Sequence, residues 1–148
     1  MAHITKTQLS PYTAMQMFDL VENFEYYPDF LPFCTRAISR PIGADELHGT
    51  LFINKGPFKK SFTTHNKMYR DSVPPYIDIK LVNGPFKQLE GYWRFVDGEA
   101  GCEVTLDLTY DMKSGLLNHA LSSVFDWIAV TMVDAFCEQA HKIYEAKN

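Results

Sequence analysis

Between Cys34 and Asp111 apolar and polar residues alternate with a period of two, and no other feature restricts the possible folds as strongly. The alternation divides into six predicted strands, at about 34–41, 45–54, 58–70, 76–83, 87–97 and 101–111. Turn residues separate them: Pro41-Ile42-Gly43, Gly56-Pro57, Val73-Pro74-Pro75, Asn83-Gly84-Pro85 and Asp97-Gly98. Connections this short imply that consecutive strands pair antiparallel. Parity also assigns faces. Ile77, Ile79 and Leu81 share one, as do Leu89, Gly91, Trp93 and Phe95, and Cys102, Val104, Leu106, Leu108 and Tyr110. Asp78, Lys80, Glu90, Arg94, Glu103, Thr105 and Asp107 fall opposite, so one face of the sheet is expected to be buried and the other wet.

The apolar face needs a cover, and the last segment supplies one. From about 115 to 146, Leu117, Ala120, Leu121, Val124, Phe125, Ile128, Met132, Phe136 and Ile143 recur at three- and four-residue steps, with Ser114 as the expected N-cap. A helix of that length reaches roughly 45–50 Å. Upstream, residues 2–9 read as a first strand. Ser10-Pro11 reads as a helix start, followed by Ala14, Met15, Phe18 and Val21 at helical spacing. A second short helix is expected over about 25–31, broken by Pro28 and ended by Pro32. The prediction is an α+β chain: a seven-stranded curved antiparallel sheet wrapped around a long C-terminal helix, with two short helices after the first strand. A sheet that wide must curl, and one helix about 10 Å across leaves a gap beneath it. That gap can hold an apolar guest, or aromatic side chains can fill it.

Composition fits this picture. The 148 residues suit one domain spanning 1–148, and 46% hydrophobic with 22% charged residues is ordinary for a folded chain. Eleven Phe and eight Tyr exceed what a small core needs. A net charge of −4 disfavours a general nucleic-acid binder without excluding a local basic patch. Cys34, Cys102 and Cys137 are odd in number and far apart, which fits reduced thiols in a cytosolic-type compartment. The N-terminal residues contain no signal-like apolar stretch, and Asp126, Thr131 and Asp134 interrupt the longest apolar segment. A soluble, cytoplasmic protein is expected, with any membrane contact peripheral to the inner membrane.

Catalytic chemistry is hard to find. His3, His48, His65, His119 and His141 occupy no metal-ligand spacing, although His119 could face a cavity mouth. No phosphate-binding glycine loop or nucleophile elbow occurs. Asp97–Gly101 reads as a hairpin turn, and Asp107 and Asp111 read as exposed strand residues. Gly56-Pro57-Phe58-Lys59 recurs as Gly84-Pro85-Phe86-Lys87. Alternate turns of a meander share one end, so the two copies should be neighbours there. Basic residues gather in the strand region, and Lys59, Lys60, Lys87 and Arg94 are candidate contacts for RNA or anionic lipid.

Two segments carry a family resemblance: Tyr27-Pro28-Asp29-Phe30-Leu31-Pro32-Phe33-Cys34, and Asn83-Gly84-Pro85-Phe86-Lys87-Gln88-Leu89-Glu90-Gly91-Tyr92-Trp93-Arg94-Phe95. They resemble the signatures of the coenzyme Q-binding protein and ribosome association toxin family, within the START-like, helix-grip superfamily of polyketide cyclases and dehydrases. The resemblance implies non-catalytic binding of ubiquinone or a related isoprenoid lipid in support of respiratory electron transport, with no cofactor required. It equally implies the alternative, a toxin that binds the large ribosomal subunit, blocks subunit joining and is countered by a small ubiquitin-like antitoxin partner. A cyclase or dehydrase is the third class. With parity added, the implied ligand-binding residues are Tyr27, Phe30, Leu31 and Phe33 on a lid. Leu81, Phe86, Leu89, Trp93, Phe95 and Leu106 would act on the sheet, and Leu121, Val124, Phe125, Ile128 and Met132 on the helix.

Overall fold

The computed structural model describes residues 2–113 and 119–145, and the side chains of those residues except His119 and Ala120. Seven antiparallel strands form one sheet in the order β1-β7-β6-β5-β4-β3-β2. They are β1 Ala2–Ser10, β2 Cys34–Gly43, β3 Glu46–Lys55, β4 Phe58–Tyr69, β5 Tyr76–Asn83, β6 Phe86–Gly98 and β7 Gly101–Met112. β2 to β7 form a meander, as the short turns require. β1 pairs with β7 at the far edge, from Ala2 opposite Tyr110 to Ser10 opposite Cys102. The chain must therefore cross from one sheet edge to the other between β1 and β2. The helices α1 (Ala14–Glu22) and α2 (Tyr27–Phe30), joined by a 3₁₀ turn at Phe24–Tyr26, make that crossing.

The start of α1 differs from the expected one. Ser10 stays in β1, and its buried hydroxyl donates to the Met17 sulfur at 3.3 Å. Thr13 caps the helix instead. Its Oγ1 accepts from Gln16 N at 3.1 Å, and Gln16 Oε1 accepts from Thr13 N at 2.9 Å, a reciprocal capping box. Pairing with β7 extends the strand past the local start signal at Ser10-Pro11. The second short helix resolves into the 3₁₀ turn and α2, with Pro28 in the first turn of α2, where a missing N–H is harmless.

The last helix, α3, runs over His119–Ala140 and continues as a π-helical turn at His141–Glu145. The expected cap Ser114 and the core position Leu117 lie outside the described residues. Leu121, Phe125, Ile128, Ala129, Val133, Phe136, Cys137 and Ala140 are buried along α3. On the sheet, Leu89, Trp93 and Phe95 of β6 and Val104, Leu106, Leu108 and Tyr110 of β7 form the facing wall. α1 is tied to the end of β4 by Arg70, which pairs with Asp19 at 2.8 Å and with Glu22, and lies 4.9 Å over the Phe18 ring. No helix of the described residues is long and apolar enough to cross a membrane.

Candidate functional site

The expected gap exists but is largely filled. A cavity of about 70 Å³ lies between the middle of the sheet and α3. β3 contributes Leu51 and Ile53, β4 contributes Phe62, Thr64 and Asn66, and β5 contributes Ile79. Leu89 and Trp93 of β6 and Leu106 and Leu108 of β7 complete the sheet wall. Phe125, Ile128, Ala129 and Met132 form the helix wall, and Phe24 and Tyr27 close the remaining side. Such a volume is far below the roughly 300–1,000 Å³ of a typical ligand pocket.

The closing segment is an aromatic stack. Phe24 and Tyr27 sit 4.7 Å apart by ring centroids, and Tyr27 meets Phe136 edge-on at 5.0 Å. The buried Tyr27 hydroxyl donates to the Val21 carbonyl at 2.5 Å, and burial pushes its pKa well above the usual tyrosine value. Phe24 lies directly over Gly49, where a Cβ would come within 2.5 Å of the ring. The absence of a side chain at Gly49 thus lets the segment close.

Of the residues expected to bind ligand, Tyr27, Leu89, Trp93, Leu106, Phe125, Ile128 and Met132 line this cavity. The others lie elsewhere. Phe30 is half-buried against Phe136 at 5.1 Å, and Leu31 is fully buried behind it. Phe33 packs on Trp127 at 5.8 Å. Phe95 shares a face with Trp93 but lies under α1, edge-on to Phe18 at 5.7 Å. Phe86 sits at the opposite end of β6, 5.0 Å from Phe125. Leu81 is partly buried near the Gly84 turn, and Leu121 is buried on α3. Val124 opens onto a surface groove with Lys55 and Trp127. For the strand residues the physical reason is that parity selects a face, whereas the cavity occupies only the middle of that face. Phe24, Leu51, Ile53, Phe62, Thr64, Asn66, Ile79, Leu108 and Ala129 join the lining without having been singled out. The even-numbered positions of β4 were the available signal, but polar residues there look the same whether they face in or out.

The repeated Gly-Pro-Phe-Lys segments are neighbours at one end of the sheet. Phe58 and Phe86 both pack on Phe125, at 6.0 and 5.0 Å, and Phe62 meets Phe86 at 5.5 Å and Phe125 at 6.3 Å. Their lysines point outward. Lys59, Lys60 and Lys87 are exposed at this end with Lys55 and Lys113, and none forms an ion pair with a described residue. Lys55 lies 4.4 Å over the half-exposed Trp127 ring. Arg94 does not join them: it stands seven residues beyond Lys87, roughly 23 Å at about 3.3 Å per residue, and rests on Tyr92.

Reactive groups stay away from the cavity. Among the described residues no Lys, Arg, His, Cys, Asp or Glu lines it. Burial pushes the Cys34 and Cys137 thiols up to about 11 and that of Cys102 to about 12, so all three are neutral at physiological pH. His65 sits on the outer face, paired with Glu46 at 3.0 Å, and His3 pairs with Asp107 at 3.0 Å. The side chain of His119 is outside the described set.

This architecture is shared. Residues 10–137 match the family described as polyketide cyclase / dehydrase and lipid transport. The chain belongs to that family. A family member from Pseudomonas aeruginosa, named ribosome association toxin RatA, is 38% identical over 143 residues, covering 96% of this chain and 97% of its own. The coenzyme Q-binding protein COQ10 homolog B of Xenopus laevis is 27% identical over 147 residues, covering 95% of this chain and 58% of the frog protein. The crystal structure of the Zhui aromatase/cyclase from a Streptomyces species superposes with a TM-score of 0.84 at 15% identity, covering 95% of this chain and 94% of the other. At that identity the likeness shows the helix-grip fold.

Proposed function

We propose that the chain binds an uncharged hydrophobic ligand, an isoprenoid quinone or a related lipid, between the sheet and α3, and releases it unchanged. In this reading it supports respiratory electron transport as a carrier and needs no cofactor. The carrying observation is the lining: apart from Thr64 and Asn66, every described residue around the cavity is aliphatic or aromatic. Burial of an isoprenoid tail there contributes about 0.8 kcal/mol per CH₂, so few polar contacts are needed. In this conformation the cavity is too small for such a guest, and in this reading the Phe24–Phe30 segment swings outward to admit it. The test is organic extraction of protein purified from quinone-containing cells, followed by mass spectrometry. Co-extracted quinone supports the reading. Protein that holds none, even after quinone is added back, overturns it.

A second reading has its own support. The names of the bacterial relatives and the lysines gathered at the Gly-Pro-Phe-Lys end favour association with the ribosome, which this reading places on the large subunit. Reversing charge at Lys59, Lys60 and Lys87 is expected to abolish co-sedimentation with that subunit and to leave quinone binding intact. Unchanged sedimentation counts against it.

A further inference from the structure

One strand departs from the apolar rule of the concave face. At cavity level β3, β5, β6 and β7 present Leu, Ile and Trp, whereas β4 presents Thr64 and Asn66. Secondary structure does not require polar side chains there. The backbone of Thr64 is paired opposite Gly49 and Leu81, and that of Asn66 opposite Leu47 and Ile79. A buried hydroxyl or amide among hydrocarbon walls is unfavourable unless it is hydrogen-bonded. Thr64 is 6% exposed, and its Oγ1 donates to Asn66 Oδ1 at 2.9 Å. That bond uses the hydroxyl hydrogen and one lone pair of the amide oxygen. Asn66 is only partly buried, so its NH₂ group is not stranded in the core and keeps its two donors for solvent or a guest at the cavity wall. The Tyr27 hydroxyl is committed to the Val21 carbonyl, and the Trp93 indole adds one N–H and no acceptor.

Resting on the reading of this cavity as a lipid site, we propose that Thr64 and Asn66 are its head-group anchor, with Asn66 Nδ2 donating to an oxygen of an uncharged ring and Thr64 fixing the amide. Quinone carbonyl and ring ether oxygens are acceptors of this kind. The same geometry selects against charged lipids. A carboxylate or phosphate would lose its hydration and find no lining cation among the described residues. A bare isoprenoid hydrocarbon would satisfy the walls and leave the amide without a partner.

Calorimetric titration of a short-chain ubiquinone, an isoprenoid hydrocarbon of the same tail length and a fatty acid tests the assignment. The native protein should prefer the quinone over the hydrocarbon by about tenfold. Asn66→Leu should remove that preference by weakening quinone binding about tenfold, with hydrocarbon binding retained. Because Asn66→Leu strands the Thr64 hydroxyl, the Thr64→Val/Asn66→Leu double variant is measured beside it, with circular dichroism to verify folding. The preference should be lost in both. A quinone preference that survives in the folded double variant overturns the anchor while leaving the apolar-ligand reading in place. Fatty acid binding tighter than quinone overturns the selection for uncharged heads. Failure of the native protein to bind any of the three overturns both readings.

Discussion

Gly49→Ala tests whether the Phe24–Phe30 segment is a lid closed by shape. The added Cβ would lie 2.5 Å from Phe24 Cζ and 2.7 Å from Cε2. Carbon atoms in good contact stand about 3.5–4.0 Å apart, so the ring must retreat by roughly 1 Å. Phe24 is only 6% exposed and leans on Tyr27, which leans on Phe136, so the ring cannot move alone. Overpacking of this kind costs about 1–3 kcal/mol. For a chain of 148 residues that is a fall in Tm of roughly 3–10 °C. The displaced lid should also enlarge the cavity and speed uptake. Thermal melts by circular dichroism give the first quantity, and stopped-flow quenching of tryptophan emission by a short-chain ubiquinone gives the second. Phe24→Leu removes the clashing ring edge, so the double variant should be more stable than the two single losses predict, by about 1 kcal/mol or more. An unchanged Tm and uptake rate in Gly49→Ala, or strict additivity with Phe24→Leu, would refute the reasoning.

Phe125 holds Phe58, Phe62, Phe86 and Tyr110 around one ring, so Phe125→Ala should destabilise by about 3–5 kcal/mol, measured by urea unfolding. Thr13→Ala removes the capping oxygen of α1 and should lower stability by about 1 kcal/mol in the same assay. Burial raises the three thiols from 9.0 to about 11 or 12, so the folded chain keeps protons that the unfolded chain releases above 9.0. The stabilisation is complete below that value and is lost as the pH rises toward 12. Urea midpoints should therefore fall across this range, and less steeply in Cys102→Ala.

The strand boundaries were legible because every break in the meander carries its own turn chemistry. At Gly56-Pro57 and Gly84-Pro85 the alternation stops within a residue or two of where each strand ends. The start of α1 was not legible, because Ser10-Pro11 carries a helix-start signal that pairing with β7 overrides. Ser10 follows its partner Cys102 into the sheet, which leaves the cap to Thr13. The site was legible only as a face. Trp93 and Phe95 are indistinguishable by parity, yet one borders the cavity and the other lies beneath α1. Phe24 belongs to a short turn with no periodicity to read. Thr64 and Asn66 look in sequence like the solvent side of an ordinary strand. The cavity's size depends on how five aromatic rings interlock, which no one-dimensional pattern encodes.

The repeated Gly-Pro-Phe-Lys segment explains how one end of the fold can serve two purposes without conflict. In each copy the turn leads into a strand whose first residue, Phe58 or Phe86, points inward onto Phe125. The next residue, Lys59 or Lys87, points outward by the pleat. The same four residues thus plug the core and charge the surface. The residues proposed to hold lipid and those proposed to dock on the ribosome therefore point to opposite sides of one backbone. Charge reversal at the lysines should leave the lipid site intact, and substitution of Asn66 should leave ribosome docking intact. The shared element is Phe125, which borders the cavity and also holds the two phenylalanines of the turns. If ligand occupancy alters ribosome docking, Phe125 is the side chain through which the two sites can sense one another. Phe125→Leu should then weaken that response, detected as large-subunit sedimentation that changes less with added quinone, with folding and quinone affinity of the variant measured beside it.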